Sequence, residues 1–134
     1  CKLEAWKDGE FDFAHSNSVI EHVGDWTKMR RFAGEICRVG RSYYVQTPYF
    51  GFPIEPHFRL PFFHWLPEQM RLRLTMRFTL GYMPRAETLH KGMENVESAA
   101  LLDRKQFSGL FPDAKISFEW FAGLPKSMIA RRLA

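Results

Sequence analysis

Apolar and polar positions fall into short runs separated by turn residues, and the first run organises the chain. Phe11-Asp12-Phe13-Ala14-His15 follows the turn-like Asp8-Gly9-Glu10, and the small polar residues Ser16-Asn17-Ser18 come before Val19 and Ile20 resume the apolar pattern. This predicts a buried strand over about 11–16, opening into a polar turn and then a helical turn. Beyond Gly24, Asp25 is placed to cap a helix on which Met29, Phe32, Ala33, Ile36 and Cys37 recur at spacings of three and four. Gly40 is the expected stop, in the left-handed conformation that helix C-termini favour. Ser42-Tyr43-Tyr44-Val45-Gln46-Thr47 then reads as a strand closed by Pro48. Strand, helix and strand in succession make a βαβ unit, whose strands are parallel. Both strands therefore end on one side of the sheet, so Ser16-Asn17-Ser18 and Gln46-Thr47-Pro48 share the edge where open α/β sheets hold ligands.

The alternation then breaks. Residues 49–67 hold Pro53, Pro56, Pro61 and Pro67 among many aromatic rings, too many prolines for a regular element and too many rings for a solvent loop. An ordered loop of that length is usually a lid or binding segment. Its ionisable groups Glu55, His57 and His64 lack the spacing of a known metal site, so no metal is expected. They suit either a base and hydrogen-bonding role toward a substrate or the satisfaction of buried backbone groups. Over 67–80 strict alternation of Met70, Leu72, Leu74, Met76, Phe78 and Leu80 competes with a Pro67-Glu68 helix start and a Gly81 stop; helix is the reading adopted. That helix would be apolar on more than one side, suggesting burial beneath the preceding loop or in a partner surface, with Met70, Met76 and Met83 either lining a pocket or filling a core. A weaker helix is expected over 86–100.

The tail is more regular. Asp103 with Gln106 is a capping-box-like start for a helix to about Leu110. Residues 116–121 and 126–132 read as strands joined through Gly123-Leu124-Pro125, a connection too short for a parallel crossover, so the pair is an antiparallel hairpin.

Composition narrows the class. At 134 residues, 46% hydrophobic and 16% aromatic, the chain is a globular domain with a core. The net charge of +4 is spread over 28–31, 71–77 and 131–132 without a nucleic-acid module signature, so no nucleic-acid partner is expected. Cys1 and Cys37 give no disulfide framework and no apolar run reaches membrane-spanning length, which suits a cytoplasmic setting. A chain that begins at Cys1 within ten residues of a core strand reads as part of something longer.

The order of these elements resembles the second half of a class I S-adenosylmethionine-dependent methyltransferase, a Rossmann-like α/β sheet. The residues that carry the likeness are Asp8-Gly9-Glu10-Phe11-Asp12-Phe13 with Ser16-Asn17-Ser18-Val19-Ile20-Glu21-His22-Val23, similar to the fourth strand of the group acting on small molecules, lipids and glycans. Leu110-Phe111-Pro112-Asp113-Ala114 through Gly123-Leu124-Pro125-Lys126-Ser127 resembles that fold's last helix and hairpin. The resemblance covers residues 3–48 and 101–133 and implies one partial methyltransferase domain over 1–134, with 49–100 as a substrate-side insertion.

It further implies that Ser16, Asn17, Ser18 and His22 border the methionine portion of S-adenosylmethionine, with Leu3 near the adenine. The acceptor would be a small molecule, lipid or glycan, with Glu55 and His57 as catalytic candidates and Gln46, Tyr49 and His64 as substrate-binding ones. Methyl transfer needs alignment above all, and a base only for a hydroxyl acceptor. The family's Gly-rich turn and the acidic strand end that holds the ribose have no counterpart in this sequence. The 134 residues alone are thus expected to be inactive, to bind the cofactor poorly, and to leave residues 11–16 as an open sheet edge prone to self-association. The alternative is a non-catalytic α/β module whose aromatic insertion docks a partner or an anionic membrane surface through Arg71, Arg73 and Arg77.

Overall fold

The computed structural model describes residues 5–134. They form two compact units, one comprising residues up to Gly51 together with Leu101–Ala134, the other Phe52–Ala100. The insertion begins at 52 rather than 49 because Tyr49 and Phe50 still belong to the sheet: their amides donate to the carbonyls of Lys126 and Leu102, both at 2.9 Å.

The first unit is a mixed α/β layer with one four-stranded, partly parallel sheet in the order β1-β2-β4-β3. β1 (Phe11–Asn17) lies parallel to β2 (Gly40–Pro48), with Phe13 opposite Ser42 and Asn17 opposite Gln46. β4 (Leu124–Arg132) is inserted antiparallel between β2 and β3 (Lys115–Phe121). α1 (Trp26–Val39) makes the crossover from β1 to β2, and Asp25 caps it by accepting from the Lys28 amide at 2.9 Å. α4 (Arg104–Leu110) precedes the hairpin and carries the expected capping box, in which Asp103 and Gln106 each bond the other's backbone amide. Side chains alternate across β2, so Tyr43, Val45 and Thr47 are buried, while Tyr44 and Gln46 on the other side are only half-buried. The buried side joins Ala130 and Met128 of β4 to Met29 and Ala33 of α1 and Phe107, Leu110 and Phe111 around α4, which is the core of the unit.

Three expectations are corrected here. β1 is the open sheet edge expected of it, but it is not buried: Phe13 is 53% exposed, because the strand has a neighbour on one side only. Gly40 is extended (φ −94°, ψ 128°) and not left-handed. α1 runs straight into β2, and glycine is required there by proximity: a Cβ would stand 2.8 Å from that of Ala14 and 2.9 Å from the Ser42 carbonyl oxygen. Pro48 closes β2 as expected, as its last residue opposite Ser127. The hairpin turn is only Ala122-Gly123, both at positive φ (48° and 79°), so β4 starts at Leu124 and pairs directly with Phe121. Two consecutive left-handed residues match the twist of the strands they join.

The second unit contains α2 (Glu68–Arg77) and α3 (Leu89–Glu97), the latter capped by Thr88. Helix rather than strand is therefore the outcome over 68–77. The preceding loop does not bury this helix: Thr75 is the one buried residue on α2, and Met70 is exposed. The unit's core is instead Phe58, Phe63 and Leu80, with Leu60, Leu66, Leu74 and Met83 packed against it. Gly81 lies four residues beyond the helix end, at φ +57°, where a Cβ would meet the Phe58 carbonyl oxygen at 1.9 Å. Its role is close backbone approach in the turn that pairs Leu80 with Met83, not helix termination. Among the described residues no helix is long and apolar enough to cross a membrane.

Candidate functional site

The parallel register brings the ends of β1 and β2 together. Ser16 stands opposite Val45 and Asn17 opposite Gln46, and the Ser18 amide extends the ladder by donating to the Gln46 carbonyl at 2.9 Å. Ser18 then takes a left-handed conformation (φ 53°), uncommon for a residue with a side chain, which turns the backbone off the strand. Its hydroxyl donates to Asn17 Oδ1 at 3.1 Å. A turn of 3-10 helix over Ile20–His22 follows, driven inward by Ile20, which is fully buried in the sheet core. That turn buries Glu21 as well and leaves His22 exposed.

Glu21 and Thr47 are the polar centre of this edge, and the sequence reading had named neither as a site residue. Thr47, fully buried at the end of β2, donates to Glu21 Oε2 at 2.9 Å. The other carboxylate oxygen, Oε1, is buried without a hydrogen-bond partner among the described residues, as is the hydroxyl of Ser16. His22 Nε2 is 4.0 Å from Oε1, beyond hydrogen-bond reach. Buried polar atoms are almost always bonded, which makes these two the candidates at this strand end for a hydrogen bond to a further group. The available sign in the sequence was a carboxylate set between the apolar Ile20 and Val23, where a solvated surface glutamate would not be expected.

The remaining candidates separate. Gln46 faces the other side of the sheet, where Nε2 donates to Glu119 at 2.8 Å and Oε1 accepts from Tyr44 at 2.9 Å. Tyr49 packs its ring edge-on against Phe118 with centroids 5.2 Å apart, a sheet contact rather than a strand-end position. Leu3 lies outside the described residues.

Glu55, His57 and His64 belong to the second unit. Glu55 is buried, and its Oε1 is 2.7 Å from His57 Nδ1 while Oε2 accepts the Phe58 amide. The same residue's backbone bonds Leu60 and Arg59, so a short turn over 55–60 fixes the carboxylate. With the proton on Nδ1, the imidazole donates to Glu55, and Nε2 becomes the basic nitrogen. A buried carboxylate that orients a half-buried histidine is the arrangement that sets a general base. The same carboxylate also accepts a buried amide, that of Phe58. His64 sits in a separate 3-10 turn, its ring edge-on to Trp65.

Comparison with known proteins adds fold and little more. No protein-family model matches the chain. A 64-residue segment, 47% of the chain, is 39% identical to uncharacterised proteins from Mycobacterium tuberculosis strains CDC 1551 / Oshkosh and H37Rv. The aligned segment spans only 22% of the length of these relatives. A crystal structure named "Putative Zn-dependent Alcohol Dehydrogenases" from Rhodobacter sphaeroides superposes with a TM-score of 0.50 at 12% identity, over 92% of this chain and 59% of that one. A possible exported protein from Bordetella parapertussis gives 0.48 at 17% identity, over 96% and 41%. The first likeness concerns the α/β fold alone.

Proposed function

We propose that the chain forms the C-terminal part of an S-adenosylmethionine-dependent methyltransferase acting on a hydroxyl of a small-molecule, lipid or glycan acceptor. The observation that carries this reading is the sheet: a parallel pair whose shared C-terminal edge is polar, completed by a terminal antiparallel hairpin. That order resembles the family's second half, and on this reading the strand-end turn would border the cofactor's methionine portion.

The residues fit that end of the cofactor. The Ser16 hydroxyl, the exposed Asn17 amide and the left-handed Ser18 turn offer hydrogen-bonding groups for an amino acid moiety. When bound, the cofactor supplies an electrophilic methyl group on a sulfonium. Thr47 holds Glu21, and with it the 3-10 turn that follows β1, against the end of β2. Within the second unit Glu55 orients His57 through Nδ1 and leaves Nε2 as the basic nitrogen, and a chain that carries such a pair suits an oxygen acceptor over one that needs no base.

Amide chemical-shift mapping with S-adenosylhomocysteine tests the reading. Millimolar ligand, matching weak binding by an incomplete site, should shift amides of 16–22 and 46–48, and His57→Gln should leave those shifts unchanged. Shifts confined elsewhere, or none at all, would overturn it.

A further inference from the structure

The second unit carries a surface that its own fold does not explain. Ile54, Phe62, Trp65, Met70, Phe78 and Tyr82 are exposed although the unit has an apolar core in which they take no part; Phe62 is 53%, Trp65 46% and Tyr82 69% accessible. Exposed apolar residues are ordinary by themselves; these six fall within 29 positions of one compact unit and have arginines stacked beside two of them. The rings are paired and held in place. Phe62 and Trp65 lie with centroids 5.2 Å apart, and Phe62 is set by a left-handed backbone (φ 60°). Arg59 lies over the Tyr82 ring at 4.5 Å and Arg77 over that of Phe78 at 5.6 Å.

Charge on this stretch is one-sided. From Pro56 to Ala86 the sequence carries Arg59, Arg71, Arg73, Arg77 and Arg85 against the single carboxylate Glu68. The unit's exposed acidic residues Glu87, Glu94 and Glu97 come later, and Glu94 is engaged by Lys91 at 3.0 Å and His90 at 3.2 Å. On α2, Met70, Arg73 and Arg77 recur at three and four residues and are all exposed, so apolar and cationic groups share one stripe. Aromatic rings with tryptophan and tyrosine among them, flanked by arginine, are the composition that seats at a lipid headgroup boundary.

We infer that residues 54–85 form a docking surface for an anionic lipid bilayer, with Phe62 and Trp65 entering the headgroup boundary and Arg73 and Arg77 pairing with lipid phosphates. The inference stands apart from methyl transfer, since it needs neither the strand-end site nor the Glu55–His57 pair. A protein partner would fit the aromatic rings, but across 54–85 five arginines against Glu68 and the buried Glu55 leave an excess of three positive charges, which favours the uniformly negative surface of a membrane.

Vesicle flotation with the 134-residue chain tests this. The chain should float with vesicles of equal parts phosphatidylglycerol and phosphatidylcholine, not with phosphatidylcholine alone, and the bound fraction should fall as salt rises above about 0.1 M. Arg73→Ser with Arg77→Ser should weaken partition roughly thirty-fold, about a factor of five for each arginine. Phe62→Ser with Trp65→Ser should abolish flotation while leaving far-ultraviolet circular dichroism unchanged, because both side chains are exposed. No flotation of the parent chain, equal flotation with uncharged vesicles, or pairs of substitutions without effect would each overturn the inference and leave a protein surface as the better occupant.

Discussion

Arg132, in the last strand, closes the C-terminal end of α1, and its replacement by methionine should be among the most damaging changes outside the apolar core. Its Nη2 donates to the carbonyl of Cys37 at 3.0 Å and to that of Gly40, and its Nε to the carbonyl of Arg41 at 3.2 Å. Nη1 pairs with Asp113, and the guanidinium lies 4.7 Å from the centroid of the Tyr43 ring. The last carbonyls of a helix have no partner inside it and carry the negative end of its dipole, so a cation there is favoured twice. Arg132→Met keeps much of the stem and removes all of these bonds. Three bonds to carbonyls at about 1 kcal/mol each, with little added for a partly exposed ion pair, give about 3 kcal/mol. In a chain of this size that lowers Tm by roughly 10 °C. Acid separates the contributions. Burial raises the Asp113 pKa, but hydrogen bonds from Tyr43 and Arg132 outweigh it and hold the carboxyl below its ordinary 3.8. A carboxyl depressed on folding stabilises fully above its unfolded pKa and loses that effect as pH falls through the folded value. Urea denaturation followed by tryptophan fluorescence should therefore show the full deficit at pH 7 and a smaller one below about pH 3, where the parent chain has lost the Asp113 part. A deficit under about 1 kcal/mol at pH 7 would mean the carbonyls do as well in water, and would refute the reasoning.

Gly40→Ala should destabilise the first unit by about 2 kcal/mol, because the new methyl meets Ala14 and the Ser42 carbonyl across a β1–β2 contact that cannot widen without breaking the ladder; a urea midpoint equal to the parent's would count against this. Thr47→Val should cost about 2 kcal/mol by leaving Glu21 without its one hydroxyl donor. Adding Glu21→Leu should recover part of that loss, and a double-mutant cycle showing simple additivity would mean the two side chains do not act as a pair.

How much of this could be read from the sequence depends on how local the cause was. Asp25, Thr88 and Asp103 cap helices through bonds to the amide three residues on, and such spacing is visible in a string of letters; Thr88 alone had gone unnamed. The parallel β1–β2 pair followed from the length and handedness of a βαβ crossover. What failed was whatever depended on a distant neighbour. Phe13 was read as buried because apolarity records what a position tolerates, whereas exposure is decided by whether a strand lies alongside. Gly40 was read as a left-handed stop, yet its constraint comes from Ala14, 26 residues earlier and adjacent only once the sheet has formed. Glu21 and Thr47 are likewise 26 residues apart and meet because the strands end together, so nothing in either one's neighbours announced the pair. Glu55 and His57 were legible as candidates since only Pro56 separates them, and a short turn suffices to join them. The same rule bears on function. The parts of the proposed site carried by one local segment are already formed in this chain, while the orphaned oxygens of Ser16 and Glu21 point to groups that no local segment supplies. The amides around them are where the first sign of binding should be sought.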